Sequence, residues 1–378
     1  MEYLVDIDGI PQTILPAAIT SFTFTTDVTS LYSTCSLVIQ DCLQVYFSNI
    51  RLGQPAVVTF LDGGKTYVNK MAVIAFHKVP QAVGLATDQI EIRLISSFYF
   101  DQPLTRTERH TSNVGAIIDS ILSSKFPKIS AEFKDISPTT DMPAPRYQIN
   151  KRYQDFMMSL LPFASIDDLP VFLFSDHKGI LHLKGVADVL KTNIADTSLL
   201  VTGRDADVEG QLNGVTNAKR LYARSYRVVG DGSNASSRIK GFSAAVNFLD
   251  PYDTLDVTAF NSSESYNPQS LRKSPYSDIS YGWEVAPQDA KNNLIWEGVK
   301  RSKGTFAIDA TINDFAGGDL SVMSGVRVVI PYHSGIQRAD GTPVVLGDGL
   351  YIVTGLQYIV EAPKNLKFTR MTLLQASC

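Results

Sequence analysis

The chain has 378 residues and a formal net charge of −4, with 44% hydrophobic and 19% charged residues. This length predicts two or more domains, since a domain usually contains about 100–200 residues. No block of Lys and Arg is present, which argues against a dedicated reader of duplex DNA. The sequence also lacks a basic leader followed by an apolar run and any apolar run of about 18–20 residues, so we expect no signal peptide and no membrane anchor.

The first hundred residues alternate between apolar and polar side chains. ITSFTFTTD (Ile19–Asp27) and TCSLVIQD (Thr34–Asp41) are close to a period of two, and turn sequences such as LDGGK separate the segments that follow. This pattern is typical of antiparallel strands with short connections. It predicts a β-barrel or sandwich over residues 1–105, interrupted by a short helix at CLQVYFSNI (Cys42–Ile50).

Near Phe100 the spacing of apolar residues becomes helical. TSNVGAIIDSILSSKF predicts a helix with Thr111 or Ser112 as its N-cap, and NKRYQDFMMSLLPFASI predicts a second amphipathic helix. FLFSDHKGILHL (Phe172–Leu183) then predicts a β-hairpin with SDHKG as its turn. Residues 106–206 therefore read as a separate α+β domain.

β character returns after Leu212 and continues, with one interruption, to the end of the chain. Residues 233–286 are rich in Ser, Asn, Asp and Pro, and a helix signal follows at PQDAKNNLIWEGVKRSK (Pro287–Lys303). Residues 233–302 therefore predict an insertion domain with long loops and a helix. Residues 207–232 and 303–378 together predict a second barrel. The predicted fold class is mainly β, with two barrels per chain and an intervening α+β domain.

The two predicted barrels share an order of sequence features. In each, a strand ends in Ile-(Gln/Asn)-Asp, and a glycine, a Val-Val strand and a Tyr-(Val/Ile) pair follow. The matched features are Ile39–Asp41 with Ile312–Asp314, Gly53 with Gly325, Val57–Val58 with Val328–Val329, and Tyr67 with Tyr351. The repeat predicts that one barrel is a duplicate of the other.

Several stretches, in this order, carry a resemblance to one protein family. They are TSFTFTTDVTSLYSTCSLVIQD, TSNVGAIIDSILSSKF, INKRYQDFMMSLLPFASIDDLPVFLFSDHKGILHL, DAKNNLIWEGVKRSKGTFAIDATIND and LYIVTGLQYIVEAPKNLKFTRMTLLQA. Together they resemble the central hub protein of contractile phage-tail baseplates. That family is related to the late control gene D protein and to the first part of the type VI secretion spike protein. The resemblance covers nearly the whole chain and is weakest over residues 233–286.

The resemblance implies a structural protein of the virion that is not an enzyme and uses no cofactor. Two similar barrels in a homotrimer make six similar units, which could join a sixfold tail tube to a threefold cell-puncturing spike. The barrels would pair edge to edge across subunits. The implied partners are the spike protein, the tail tube or a tube-initiator protein, the surrounding baseplate wedge proteins, and, transiently and without specificity, DNA or the tape measure. The implied location is the tail baseplate, assembled in the host cytoplasm.

Polar residues that alternate along the pairing strands are the candidates for facing the lumen of such a ring. They are Thr23, Thr25, Ser36 and Gln40 in the first barrel and Asp309, Thr311 and Asn313 in the second. All are neutral or acidic, which suits a passage along which DNA slides, because Lys and Arg would attract the phosphates. The alternative is that these residues face bulk solvent.

The predicted hairpin places Asp176, His177 and His182 within seven residues, and these residue types bind metals or move protons. As a turn, Asp176 would bond its own backbone, Gly179 would adopt positive φ, and His177 would lie at an exposed tip. A metal site would need three or four ligands, and only Asp188 lies nearby. We therefore predict a turn and assign no catalytic, cofactor-binding or metal-binding residue.

The cysteines and two alternative functions also bear on what the chain does. Cys35, Cys42 and Cys378 are odd in number and contain no CxxC pair, so we expect free thiols rather than disulfides or a zinc knuckle. Aromatic side chains between residues 242 and 283 would suit an alternative function as a receptor- or glycan-binding tail protein. A cell-wall hydrolase is the third alternative, although no pair of carboxylates stands out for that chemistry.

Overall fold

The computed structural model describes most strands of both predicted barrels and the unit between them. The described residues are 2–10, 14, 18–28, 30–41, 45–62, 64–79, 89–100, 107–126, 133–149, 151–166, 169–185, 188, 197–200, 219–228, 307–315, 320–329, 349–361 and 366–377. Within them the structure is mainly β with few helices, which confirms the predicted fold class. The predicted insertion 233–302, including the helix signal at Pro287–Lys303, lies outside the described residues.

The first barrel contains six strands and a short helix. They are β1 (Glu2–Ile7), β2 (Ile19–Asp27), β3 (Thr34–Gln40), α1 (Val45–Asn49), β4 (Pro55–Asp62), β5 (Lys65–Lys78) and β6 (Gln89–Ser96). The strands pair antiparallel in the order β1-β4-β5-β6-β3-β2. The sheet curls around its apolar residues, so that the ring of Tyr3 on β1 stacks on Phe22 of β2, with 4.2 Å between centroids.

The middle unit contains two helices and two small sheets. Its elements are β7 (Glu108–His110), α2 (Val114–Lys125), β8 (Lys134–Ile136), β9 (Arg146–Gln148), α3 (Tyr153–Leu160), β10 (Ser165–Ile166), β11 (Leu169–Ser175) and β12 (Leu181–Gly185). Strands β10-β11-β12-β8 form one sheet and β7-β9 the other. Both predicted helices are present, and they bury their apolar sides in one core with β11 and β12. The N-cap of α2 is Asn113, whose Oδ1 accepts from Ala116 N at 2.9 Å, so the prediction of Thr111 or Ser112 was wrong.

The second barrel is a closed ring of strands. It consists of β13 (Thr197–Leu200), β14 (Lys219–Val228), β15 (Ala307–Asn313), β16 (Gly325–Val329), β17 (Gly349–Glu361) and β18 (Leu366–Ser377). Pairing runs β13-β14-β15-β18-β17-β16 and returns to β13. Closure leaves fewer open strand edges. β13 lies in the range predicted for the α+β domain, because a four-residue strand that pairs in parallel with distant strands leaves no local pattern. The remaining domain boundaries stay predictions.

The second barrel repeats the connectivity of the first. The pairings β4–β5, β5–β6, β6–β3 and β3–β2 correspond, in order, to β16–β17, β17–β18, β18–β15 and β15–β14. The remaining pair differs in direction, since β1 lies antiparallel to β4 whereas β13 lies parallel to β16. The irregularities in register recur as well. They fall at Ile19/Ser21 on β2 and Ala223/Ser225 on β14, and at Val73/Ala75 on β5 and Val353/Gly355 on β17. Because β-bulges are local and specific, their recurrence makes these positions equivalent.

The loops before β4 and β16 show which residues of the two barrels are equivalent more precisely than the sequence does. Gly53 N donates to Val73 O at 2.8 Å, and Met323 N donates to Val353 O at 2.8 Å. Gly53 and Met323 also share positive φ, 77° and 62°. Gly53 is therefore equivalent to Met323 rather than to Gly325, and the same register aligns Tyr351 with Met71 rather than with Tyr67. Matching identical residues gave the wrong alignment of the two barrels, because the register is set by backbone hydrogen bonds and not by side-chain type.

The N-cap of α2 gives a direct test of local structure. We expect Asn113→Ala to lower the free energy of unfolding by about 1 kcal/mol, because Ala116 N loses its side-chain acceptor. Thr111→Ala and Ser112→Ala, both at exposed positions, should change it much less. Urea denaturation of the three variants measures the difference, and an equal loss in Ser112→Ala would contradict the assignment.

Candidate assembly surface

The two barrels present a continuous polar face on the side of the sheet away from their cores. One row of paired residues crosses the sheet from Thr25 on β2 to Gln357 on β17, Arg370 on β18 and Thr311 on β15. All seven residues predicted from strand alternation lie on this face, half-exposed or exposed: Thr23, Thr25, Ser36, Gln40, Asp309, Thr311 and Asn313. Their common face follows from the structure, whereas their position around a lumen stays a prediction.

Charged groups on this polar face have partners close by. Glu91 accepts hydrogen bonds from Arg93 Nε at 2.6 Å and Ser36 Oγ at 3.3 Å, and it lies 3.2 Å from His77 Nε2. The hydrogen bond from Arg93 holds the pKa of Glu91 below its usual value. In the second barrel, Asp309 Oδ1 accepts from Thr372 Oγ1 at 3.1 Å. Arg93 and Arg370 are cations of this face that the sequence analysis did not identify.

A strand pair within the chain joins the barrels. β2 and β17 pair antiparallel from Asp27 opposite Gly355 to Ser21 opposite Glu361, which makes one twelve-stranded sheet. Val28 N continues the junction by donating to Thr354 O at 2.9 Å. The sequence predicted edge-to-edge pairing between subunits, and the structure places one such pairing inside the subunit.

β5 is equivalent to β17, and β14 is equivalent to β2. Unlike β17 and β2, β5 and β14 each keep an edge that no other described strand occupies. β17 pairs along that edge with β16 in its first part and with β2 in its second part. β5 pairs with β4 only as far as Ala72, and from Ile74 onward its described partner is β6 alone. β14 pairs with β13 as far as Tyr222, and from Ala223 its described partner is β15 alone.

The loop beside this edge differs in exposure between the barrels. Val322 precedes Met323 in the second barrel, is 3% exposed, and belongs to a core cluster with Val28 and Phe172. Its equivalent in the first barrel is Leu52, which precedes Gly53 and is 67% exposed. The two loops have the same backbone hydrogen bonds, so the difference lies in the surroundings of the side chains. In the second barrel Val28, the residue that follows β2, belongs to the same core cluster as Val322.

The hairpin β11–β12 holds the middle unit against both barrels. Phe172 and Phe174 lie in the core of the second barrel, while Val171 and Leu173 lie in the core of the middle unit. The turn is as predicted: Asp176 Oδ1 accepts from Lys178 N and Ile180 N, each at 2.9 Å, and Gly179 has φ 78°. A Cβ at Gly179 would lie 2.7 Å from Val68 O on β5, so the turn also needs glycine for close approach.

His177 is buried at the barrel junction, so the prediction of an exposed tip was wrong. Its side chain is 0% exposed, and its ring lies 5.8 Å from that of Tyr67 on β5 and 5.5 Å from that of Tyr358 on β17. Asn69 Nδ2 donates to its carbonyl oxygen at 2.7 Å. Burial lowers the pKa of His177 to about 4, with the Asp176 carboxylate acting in the opposite direction, so the ring is neutral at pH 7. The burial of His177 follows from the tertiary packing of the turn, which the sequence does not show.

The second hairpin histidine connects two carboxylates. His182 Nε2 lies 3.0 Å from Asp176 Oδ2, and Nδ1 lies 3.1 Å from Asp135 Oδ2. Lys184 Nζ lies 3.0 Å from the same Asp135 oxygen. Burial raises the pKa of Asp176, but the hydrogen bond and charge of His182 outweigh burial and keep that pKa below its usual value. The cluster links β12 to β8 and to the turn, which is a structural role.

The described residues contain neither a cluster of metal ligands nor a membrane-spanning helix. Among them, no group of three or more His, Cys, Asp and Glu side chains is arranged to hold a metal ion. None of the described helices is long and apolar enough to span a membrane. Cys35 is a buried free thiol whose pKa is raised by burial, while Cys42 and Cys378 lie outside the described residues.

Solved structures share this fold over nearly the whole chain. The 43 kDa tail protein of prophage MuSo2 from Shewanella oneidensis superimposes with a TM-score of 0.58 at 12% identity, covering 99% of this chain and 98% of that one. The tail protein from Neisseria meningitidis gives a TM-score of 0.54 at 12% identity, covering 100% and 97%. The resemblance seen in the sequence is therefore confirmed at the level of the fold.

A third structure connects the fold to a secretion system. The Escherichia coli c3393 protein is described as a component of the type VI secretion system with structural similarity to the T4 bacteriophage tail proteins gp27 and gp5. It gives a TM-score of 0.52 at 10% identity and covers 99% of this chain and 77% of that one. No family model and no curated protein matches the sequence.

The burial of His177 predicts a loss of stability in acid. The unfolded residue binds a proton below about pH 6.5, whereas the folded residue binds one only below about pH 4. The free energy of unfolding should therefore fall as the pH is lowered through this window, by up to about 3 kcal/mol. We expect His177→Phe to reduce this dependence in chemical denaturation at several pH values. His77→Gln, a change at an exposed histidine, should retain it; an unchanged slope in His177→Phe would refute the assignment.

Proposed function

We propose that the chain is a structural tail protein that forms a trimeric baseplate hub between a sixfold tail tube and a threefold spike. The observation that carries the proposal is the β2–β17 strand pair between two barrels of the same connectivity. A pairing of this kind uses one edge of each barrel and leaves the other equivalent edges, on β14 and β5, available to further copies. Such a head-to-tail contact gives a ring when its rotation closes.

The equivalence of residues in the two barrels specifies which strands pair between copies of the chain. Tyr358 is equivalent to Lys78 and Phe24 to Val228, so the Tyr358–Phe24 pair within the chain corresponds to Lys78 of one copy opposite Val228 of the next. Three copies contribute six barrels, joined alternately by the intramolecular pair and by its intermolecular counterpart. The ring then has threefold symmetry with six similar units, so it suits both a threefold and a sixfold neighbour.

The exposed Leu52 supports the same contact independently of strand pairing. Its equivalent Val322 is covered in the core cluster that includes Val28 of the first barrel. In the ring, the next copy pairs along β5 and covers Leu52. Burying a leucine side chain contributes about 1.5–3 kcal/mol, so Leu52 is a substantial part of the proposed interface.

The polar face supplies the proposed lumen. Thr23, Thr25, Ser36 and Gln40 would line it from the first barrel, and Asp309, Thr311 and Asn313 from the second. Hydroxyl groups and the Glu91–Arg93 ion pair add little positive charge, and Arg370 is an exposed cation on the same face, so we expect DNA or a tape measure to meet few phosphate-binding groups. The proposed partners are the spike, the tail tube or its initiator, and the baseplate wedge proteins, in the virion tail after assembly in the host cytoplasm. The alternative of a receptor- or glycan-binding protein depends on residues 242–283, which lie outside the described residues.

Leu52 gives the sharpest test of the ring. We expect the wild-type protein to form trimers in native mass spectrometry, alone or with its spike partner. Leu52→Asp should remain monomeric and still unfold in one cooperative transition, because the side chain is exposed in the single chain. Met142→Asp, at an exposed position on the middle unit, is the matched control and should still form trimers. A wild-type protein that stays monomeric with the spike, or a Leu52→Asp variant that trimerises normally, would exclude the proposed contact.

A further inference from the structure

Exposed apolar side chains cluster on one part of the middle unit. Among the described residues, three of the seven exposed large hydrophobic side chains lie between residues 142 and 149. Met142 is 77% exposed, Tyr147 52% and Ile149 61%. Single exposed apolar residues are ordinary on protein surfaces, whereas a cluster marks an interaction site.

The segment that carries these side chains is firmly held. Gln148, between Tyr147 and Ile149, is 0% exposed and donates to Lys151 O at 2.6 Å. Asp141, which precedes Met142, is buried and accepts from Val114 N at the start of α2 at 2.9 Å. The exposed side chains therefore stand on an ordered backbone, which reduces the entropy that a partner must remove on binding.

Positive charge surrounds the apolar cluster. Arg109 on β7 lies directly opposite Tyr147 on β9, with its guanidinium 5.9 Å from the ring centroid. Lys151 and Arg152 are exposed, and every charged residue from 142 to 154 is cationic. Two nearby acids are engaged, since Asp141 caps α2 and Glu108 accepts from Tyr153 Oη at 2.5 Å and Lys125 Nζ at 3.1 Å, whereas Asp155 on α3 is exposed. This local charge contrasts with the net charge of −4 for the whole chain.

The backbone also offers a place for a further strand. β7 and β9 form a two-stranded sheet, and no described strand pairs with the outer edge of β9. Two-stranded sheets are marginal alone and gain from a third strand. An extended peptide added to such an edge obtains affinity from main-chain hydrogen bonds and specificity from alternate side chains.

We propose that Arg109, Met142, Tyr147, Ile149, Lys151 and Arg152, the β9 platform, bind an extended acidic segment of another protein. Apolar residues of the segment cover Met142 and Ile149, and its carboxylates reach Arg109, Lys151 and Arg152. A nucleic acid fits less well, because Met142 and Ile149 are apolar and offer nothing to a phosphate. The platform contains no barrel residue, so it is independent of the proposed ring.

Fluorescence anisotropy with the full-length protein tests the platform. The probe is a labelled peptide of alternating Glu and Val; the comparison probes are the same peptide with Lys for every Glu, a single-stranded oligothymidine, and phosphatidylcholine–phosphatidylserine vesicles. We expect the Glu peptide alone to bind, and Arg109→Glu with Lys151→Glu to weaken it at least about tenfold. Met142→Ser with Ile149→Ser should weaken it similarly.

Phe100→Ser is the matched control, since it changes an exposed apolar residue outside the platform and should bind the Glu peptide normally. Circular dichroism should show the same melting temperature for all variants, because every substituted side chain is exposed. Absence of binding, equal binding of the Lys peptide, binding of only the oligothymidine or vesicles, or binding unaffected by both double variants would overturn the proposal. None of these outcomes depends on whether the chain forms trimers.

Discussion

The rest of the structure depends on the strand pair between β2 and β17. It converts two barrels into one sheet and aligns their polar alternates on a single face. It also positions Tyr358 of β17 against Phe60 of the first barrel, with 5.4 Å between ring centroids, so the aromatic core of the first barrel includes side chains from the second. Backbone hydrogen bonds fix the register, and interlocked aromatic rings add burial that a shift of one residue would lose.

The hairpin β11–β12 depends on that junction and in turn secures it. Its alternating side chains enter the core of the second barrel on one face and that of the middle unit on the other. The turn lies against β5 and β17, where His177 and Tyr358 both have buried polar atoms without a protein partner. Such groups are costly to bury, so packing here outweighs polar satisfaction. The junction is therefore sensitive to the charge of His177.

The two barrels differ at equivalent strand edges. β5 and β17 each pair with β4 or β16 in their first part, yet among the described strands only β17 meets a further strand, β2, in its second part. Leu52 and Val322 occupy equivalent loops with opposite exposure. Among the described residues the middle unit has no duplicate, so the proposed β9 platform occurs there once, which suits a partner bound once per subunit rather than once per barrel.

The sequence alone determined the mainly β class, the two helices of the middle unit, the hairpin turn and the shared order of the barrels, because each depends on local periodicity or turn chemistry. Strand alternation also placed Thr23, Ser36 and Asp309 on one face correctly. Tertiary structure alone decided that β13 closes the second barrel, that Gly53 matches Met323, that His177 is buried, and that β2 meets β17. These features arise from contacts between residues far apart in the chain, and local patterns contain no information about which distant edge a strand will meet.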